Sequence, residues 1–137
     1  MSPRIPASLA RRVRERAGDR CEYCRLSQAG QEATFHIDHV IPRRDGGATT
    51  LENLALACVS CSLRKGARRV GRDPHTGDEV RLFNPRVDHW HDHFALSENL
   101  HLIGQTAVGR GTVARLLLNR PLAVAIRHEE TLRQRYP

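Results

Sequence analysis

Hydrophobic residues recur at helical spacing near the start of the chain. Over residues 6–17, Leu9, Val13 and Ala17 fall on one helical face, and Gly18 offers a natural stop. The pattern therefore predicts an N-terminal helix. Its opposite face is basic and either meets solvent or contacts phosphate groups; this face carries Arg11, Arg12, Arg14 and Arg16.

The next segment is rich in residues that favour strands and turns. Residues 33–41 have the β-branched and aromatic composition of a strand, and a turn-rich basic loop follows them. Residues 51–57 predict a short second strand or a turn. A basic helix is expected over residues 62–69, with Ser60 or Ser62 as its N-cap.

The second half of the chain predicts further short strands followed by two helices. The strand candidates are residues 80–83, 93–96 and 101–105. Thr106 is expected to cap a helix that runs to residue 118, and Pro121 to open the last helix. The residues of that last helix expected to point inward are Leu122, Ala125, Ile126 and Leu132.

The positive charge of the chain is concentrated in its first half. The 137 residues carry a net charge of +7, and the first 72 contain 14 basic and 7 acidic residues, whereas the rest contain 8 of each. A localised basic field favours a polyanionic partner, because neutralised phosphates supply most sequence-independent affinity for nucleic acid. A compositional bias is the alternative, since 21 of the 22 basic residues are arginine.

Two cysteine pairs indicate a metal site. Cys21, Cys24, Cys58 and Cys61 form a C-x2-C-x33-C-x2-C pattern, in which two knuckles can complete a closed tetrahedral zinc shell. One structural Zn²⁺ per chain would add the stability that a small core lacks, since only 4% of residues are aromatic. Two local disulfides or free thiols are the alternative. We expect a soluble cytoplasmic protein, because no signal peptide or membrane span is evident.

Between the cysteine pairs lies a polar strand of unusual composition. His36, Asp38 and His39 alternate with apolar residues, and buried polar groups of this kind need partners. Asp38 and His39 point to opposite sides of an ideal strand, so a shared site requires a twisted or bulged strand end. A carboxylate could then hold a divalent ion while a neutral imidazole takes a proton from water, which predicts a metal-assisted hydrolase.

These segments together resemble the HNH endonuclease family in its four-cysteine variety. The similar runs are CEYC, HIDHVIPRRDGGATTLENLALACVSC and SLRKG, within about residues 18–70. The resemblance implies an α+β fold with a small ββα-metal core and an N-terminal helix over residues 1–72. A mixed strand and helix extension over residues 73–137 would pack on that core.

The resemblance also implies hydrolysis of DNA phosphodiester bonds with one catalytic Mg²⁺ or Mn²⁺. By position, His39 is expected to be the general base, Asp38 a catalytic metal ligand, and Asn53 a brace for the loop between the two strands. Nicking and double-strand cutting are both compatible with this reaction. Because aromatic residues are too few to form a stacking platform, double-stranded DNA is favoured as the substrate.

One position departs from the family pattern. Ser62 stands directly after the fourth cysteine, where His or Asn usually helps to bind the metal. Either Ser62 binds directly or through water, or another histidine such as His36 or His93 substitutes, or the site is degenerate and only binds DNA. The last case corresponds to a catalytically impaired, zinc-dependent DNA-binding module.

Histidines and basic residues outside the motif offer further candidates. His89, His91 and His93 share one face if residues 89–94 form a strand, as three ligands would; a polar surface strand anchored by Trp90 and Phe94 is the alternative. A protein-contact role for residues 73–137 is a third hypothesis. Phosphate contacts, or ordinary surface charge, are expected from the loop and helix residues Arg43, Arg44, Arg64, Lys65, Arg68 and Arg69.

Overall fold

The first helix of the computed structural model, which describes residues 5–137, packs on a β-hairpin. Helix α1 spans Ala7–Ala17 and ends at Gly18, whose φ of 63° is left-handed, so the sequence prediction is confirmed. Arg14 donates to the Phe35 carbonyl at 3.1 Å, and Arg16 to the Leu51 carbonyl at 2.7 Å. These two arginines therefore hold the helix against the hairpin, whereas the basic face was predicted to meet solvent or to contact phosphate groups.

The hairpin and the helix after it form a ββα unit. Strand β1, His36–His39, pairs antiparallel with β2, Leu54–Ala57, so that His36 lies opposite Ala57 and His39 opposite Leu54. All four residues of β2 are buried. The strand predicted at residues 33–41 is thus in the correct place, but the observed strand is shorter at both ends.

Helix α2, Val59–Lys65, differs from the predicted helix at residues 62–69. It starts earlier, because the sulfur of Cys58, in place of a serine hydroxyl, accepts the N–H of Cys61 as the N-cap. It ends earlier, because Gly66 adopts a φ of 53°. Arg68 and Arg69 therefore lie beyond the helix and not on it, so that part of the prediction is wrong.

A hairpin connects the two predicted halves of the chain. Strand β3, Val70–Arg72, pairs with β4, Glu79–Arg81, across a turn that includes Gly77 at a φ of 79°. Strand β3 is too exposed and too short to stand out as a hydrophobic pattern. The expected boundary at residue 72 falls inside this hairpin, and the division into 1–72 and 73–137 stays a prediction.

The segment with three histidines is helical. Residues Trp90–His93 form the short helix α3, so the strand interpretation of residues 89–94 is wrong. Trp90 is buried and donates its indole N–H to the Tyr23 carbonyl at 2.8 Å, which holds this turn against the first cysteine pair. The predicted common face of His89, His91 and His93 therefore does not form.

The rest of the chain forms a third hairpin and two helices. Strands β5, Phe94–Leu96, and β6, Leu102–Gly104, pair antiparallel. Helix α4 spans Ala107–Arg115 and so ends before the predicted residue 118. Thr106 caps it as predicted, its hydroxyl accepting the Gly109 N–H at 3.0 Å.

Helix α5, Pro121–Leu132, begins at the predicted proline but turns a different face inward. Leu122, Ala125 and Leu132 are exposed, and only Ile126 of the predicted inward set packs against the core. The buried residues are instead Ala123, Arg127 and Glu130. This occurs because Arg127 donates to the carbonyls of Leu100 and Leu118, so a hydrogen-bonded guanidinium occupies the inner face.

Both halves of the chain share one hydrophobic core, which covers the cysteine pairs. The Tyr23 ring contacts Phe83 edge-on with centroids 6.3 Å apart, and Phe83 contacts Phe94 at 5.3 Å. Near the C-terminus, the Tyr136 hydroxyl donates to the Cys24 carbonyl at 2.8 Å. Within residues 5–137, every helix is too short or too polar to cross a lipid bilayer.

Candidate metal centre and catalytic cleft

The four cysteines converge into one buried cluster. Their sulfur atoms all lie within 4.8 Å of one another, and Sγ of Cys24 is 3.8 Å from Sγ of Cys58. A Zn–S bond of about 2.3 Å in a tetrahedron places sulfurs about 3.8 Å apart, so the geometry fits zinc. None of the four is in a disulfide, which answers the alternative of two local bridges.

Backbone hydrogen bonds shape each knuckle around its sulfurs. The Cys24 N–H points to the Cys21 sulfur at 3.5 Å, and the Cys61 N–H to the Cys58 sulfur at 3.4 Å. N–H groups directed at sulfur stabilise thiolate charge, as a metal-bound site requires. The cluster is thus a candidate zinc site with four sulfur ligands and no ligand position left for catalysis.

A separate cleft lies between the end of β1 and the end of α2. It encloses about 280 Å³. Asp38 and His39 both line it although they are neighbours in the chain, because β1 ends at His39 and the chain turns there. The cleft is lined by Ile37, Asp38, His39, Pro42, Arg43, Ser62, Gly66 and Ala67.

His39 is held in a defined orientation inside this cleft. Its Nε2 atom lies 2.8 Å from the Thr49 hydroxyl. When Nε2 carries the proton and donates it to Thr49, Nδ1 keeps a free lone pair and can accept a proton. Burial and then the positive charge of Arg43 lower the pKa of His39, while Asp38 opposes them, so the ring favours the neutral form that a general base needs.

Asn53 holds the ends of the loop between β1 and β2 together. Its amide oxygen accepts the Ile41 N–H at 2.9 Å, and its amide nitrogen donates to the carbonyls of Ile41 and Ala48 at 3.0 and 2.9 Å. A side chain on Gly47 would collide with the Ile41 carbonyl, 1.8 Å from its Cβ, so this close turn requires glycine. The geometry matches the bracing role expected of Asn53.

Ser62 faces the cleft and contacts a histidine of the same strand as Asp38. Its hydroxyl lies 2.8 Å from Nδ1 of His36. The structure therefore brings together Ser62, which departs from the family pattern, and His36, one of its predicted substitutes. Asp38 and Ser62 offer oxygen atoms at this cleft, and oxygen is the ligand that Mg²⁺ and Mn²⁺ prefer.

His93 lies in a different environment. Its Nδ1 is 2.6 Å from the Thr106 hydroxyl, its Nε2 is 3.7 Å from Asp88, and its ring stacks edge-on against Phe83. None of these partners lines the cleft. The structure thus places His93 in the packing of the extension, apart from Asp38.

The predicted phosphate contacts are distributed over several surfaces. Arg43 is exposed and lines the cleft, while Arg44 donates to the Ala67 carbonyl at 3.3 Å beside it. Arg68 and Arg69 are exposed in a neighbouring groove. Arg64 faces the opposite side of α2.

Lys65 does not lie on an exposed basic face. Its side chain is 97% buried and donates to the Val40 carbonyl at 3.2 Å. Burial lowers the pKa of Lys65, and the nearby carboxylate of Asp38 raises it. The expectation that Lys65 carries surface charge or contacts phosphate from an exposed helix face is therefore wrong, because packing at the end of α2 buries it near Asp38.

Thr49 is the site residue that sequence reasoning missed. It lies in the turn-rich loop, ten residues after the histidine that it contacts, and no periodic pattern connects the two positions. The one sequence signal for Thr49 is its position in a loop that follows a strand-end histidine and must fold back towards it.

Comparison with known proteins agrees with the motif. The family model described as HNH endonuclease matches residues 21–68, about a third of the chain. Searches of curated proteins and of solved structures find no match. The matched segment contains both cysteine pairs, β1, β2 and the whole of α2. Residues 21–68 of this chain are therefore similar to the HNH endonuclease family and contain four cysteines positioned to form a metal site, as the sequence resemblance predicted.

Proposed function

We propose that this protein is a metal-dependent endonuclease that hydrolyses DNA phosphodiester bonds. The HNH match supports a nuclease-like or DNA-binding domain. The observation that carries the finer proposal is one cleft lined by a carboxylate, an imidazole and an arginine: Asp38, His39 and Arg43. A protein that only binds DNA does not need an oriented, neutral histidine beside a carboxylate.

His39 would act as the general base. Its Nδ1 accepts a proton from water, while Thr49 holds Nε2 and so keeps the ring in the required tautomer. The resulting hydroxide attacks phosphorus in line with the leaving oxygen. Arg43, exposed at the edge of the cleft, would contact the phosphate, and its positive charge adds to burial in lowering the pKa of His39.

The oxygen ligands of the cleft suit a hard divalent ion. Asp38 would hold Mg²⁺ or Mn²⁺, with Ser62 as a direct or water-mediated partner. When bound, such an ion supplies positive charge to the leaving oxygen. His36 positions the Ser62 hydroxyl through its hydrogen bond and can itself contribute a ring nitrogen to the ion.

The impaired DNA-binding module remains the second candidate function. It is favoured by the presence of Ser62 at the last position of the motif, because a serine hydroxyl is a weaker metal ligand than the imidazole or amide usual there. The two functions differ in whether DNA is cut at all, so they are separated by a cleavage assay.

The test is cleavage of supercoiled plasmid with Mg²⁺ or Mn²⁺ by the parent and by His39→Ala. The control is His128→Ala, since His128 is exposed on α5. We expect cleavage by the parent and the control, and a loss of about 10²- to 10⁴-fold in His39→Ala, the usual contribution of a general base. Each protein should contain one zinc. Equal rates for parent and His39→Ala would refute the assignment of the base.

Two further measurements separate the alternatives. DNA that is bound tightly but left intact under every metal would establish the binding module instead. Ser62→Ala and His36→Ala should raise the Mn²⁺ concentration needed for half-maximal cleavage, because each removes one partner of the hydrogen bond between Ser62 and His36. If the metal dependence is unchanged in both variants, then of Asp38, Ser62 and His36 only Asp38 binds the catalytic metal.

A further inference from the structure

A second, larger groove lies on the side of α2 opposite the catalytic cleft. It encloses about 890 Å³ between α2, the end of α4 and the start of α5. Leu63 and Arg64 of α2 line this groove, whereas Ser62 lines the catalytic cleft. The two surfaces are therefore distinct, and the endonuclease proposal makes no use of the larger groove.

The groove exposes large apolar side chains. Leu63 is 71% exposed, Leu122 is 64% exposed and Leu117 is 48% exposed. Single exposed leucines are ordinary, but three that line one concave surface are typical of an interaction site. Because the three come from α2, α5 and the segment between α4 and α5, folding assembles them; no one helix presents them.

Three arginines border the same groove without a carboxylate partner. Arg64, Arg115 and Arg120 line it, and no acidic residue of the described part of the chain does. The Nε atom of Arg115 is buried and has no hydrogen-bond partner in residues 5–137. Other arginines of the extension are paired, such as Arg110 with Asp73 at 2.8 Å. The described residues that line the groove thus include three positive charges and no negative charge, and an acidic ligand would supply the complementary charge.

We propose that this groove binds an acidic amphipathic segment of a partner protein. Leucine-type residues of that segment would fill the apolar surface, and its Asp or Glu side chains would pair with the three arginines. A single-stranded nucleic acid fits less well, because Phe35, the one aromatic residue that lines the groove, is buried and cannot stack on a base. A second copy of this chain is disfavoured by its net charge of +7.

The test uses a fluorescein-labelled helical peptide of about 16 residues, about 24 Å long, with leucines on one face and glutamates beside them. We expect binding to the full chain with a Kd below about 100 µM by fluorescence anisotropy. A peptide with lysines in place of the glutamates should not bind measurably. A single-stranded oligonucleotide of similar length serves as the competing class of ligand.

The chain offers a matched pair of variants for this experiment. Leu122→Glu changes the groove, and Leu132→Glu changes a leucine that is 80% exposed on the same helix but does not line it. Leu122→Glu should weaken binding at least about tenfold, and Leu132→Glu by less than about twofold. Arg115→Gln should also weaken binding, because it removes one of the three positive charges that line the groove.

Four outcomes would overturn the proposal. They are absence of peptide binding, equal effects of the two leucine variants, binding of the oligonucleotide that depends on Leu122, and a dimer in sedimentation that Leu122→Glu dissociates. The last two would assign the groove to nucleic acid or to a second copy. Plasmid cleavage is measured in parallel and is expected to be unchanged in Leu122→Glu, so failure here is distinguishable from failure of the proposed nuclease.

Discussion

Replacing Asn53 by alanine tests whether one amide holds the loop beside the catalytic cleft. The change removes three hydrogen bonds, two with Ile41 and one with Ala48. A typical hydrogen bond contributes about 1 kcal/mol, and a buried group left without a partner costs about 1–3 kcal/mol. Ala48 is exposed and water can replace its bond, whereas Ile41 is half-buried. We therefore expect a loss of about 2–3 kcal/mol in the free energy of unfolding.

The assay is urea unfolding of the zinc-loaded protein, followed by circular dichroism. In a thermal melt of the same samples, a loss of about 2–3 kcal/mol lowers Tm by roughly 7–10 °C for a chain of this size. The control is Asn99→Ala, since Asn99 is exposed and, within residues 5–137, its side-chain amide hydrogen-bonds only with the Ser97 hydroxyl. The free energy of unfolding of this control should fall by less than about 0.5 kcal/mol.

Zinc content must be measured in both variants, because the four cysteines lie outside the loop and should keep their metal. Plasmid cleavage should fall in Asn53→Ala, since His39 is two residues from the Ile41 anchor. A stability change below about 0.5 kcal/mol, or one equal to that of Asn99→Ala, would refute the bracing argument.

The other predictions concern pH and the orientation of the base. Arg43→Gln removes a charge that lowers the pKa of His39, so the acid limb of log(kcat/KM) against pH should move to higher pH; an unmoved limb contradicts this. Arg110 holds the pKa of Asp73 well below its usual range, so the carboxylate stabilises the fold above about pH 4 and this stability is lost as pH falls. Asp73→Asn should therefore flatten the decline of Tm in acid, and a parallel decline counts against the pair. Thr49→Val should lower kcat about tenfold while Thr49→Ser retains activity, with equal losses arguing for a packing role instead.

Local patterns predicted most elements of this fold. Gly18, Thr106 and Pro121 act through the backbone of their own neighbours, so the ends of α1, α4 and α5 that they determine could be placed from sequence. The same holds for the spacing of the cysteines. These features depend on contacts within a few residues.

Features that depend on distant contacts were misplaced or missed. The inner face of α5 follows from Arg127, whose guanidinium binds carbonyl groups of Leu100 and Leu118, and hydrophobic periodicity carries no information about such partners. The histidines of residues 89–94 alternate as in a strand, yet residues 90–93 form a helical turn, in which Trp90 is anchored to the Tyr23 carbonyl.

For the candidate site, the sequence by itself determined the chemistry of its parts: four thiols in two pairs, and a carboxylate, imidazole and amide in the order of the family motif. The tertiary structure decided how these parts face one another. It buried Lys65 near Asp38, placed Thr49 against His39 and Ser62 against His36, and formed the arginine and leucine groove on another side of α2. The physical reason is that side-chain type is a local property, whereas burial and hydrogen-bond partners depend on segments that meet only when the whole chain packs.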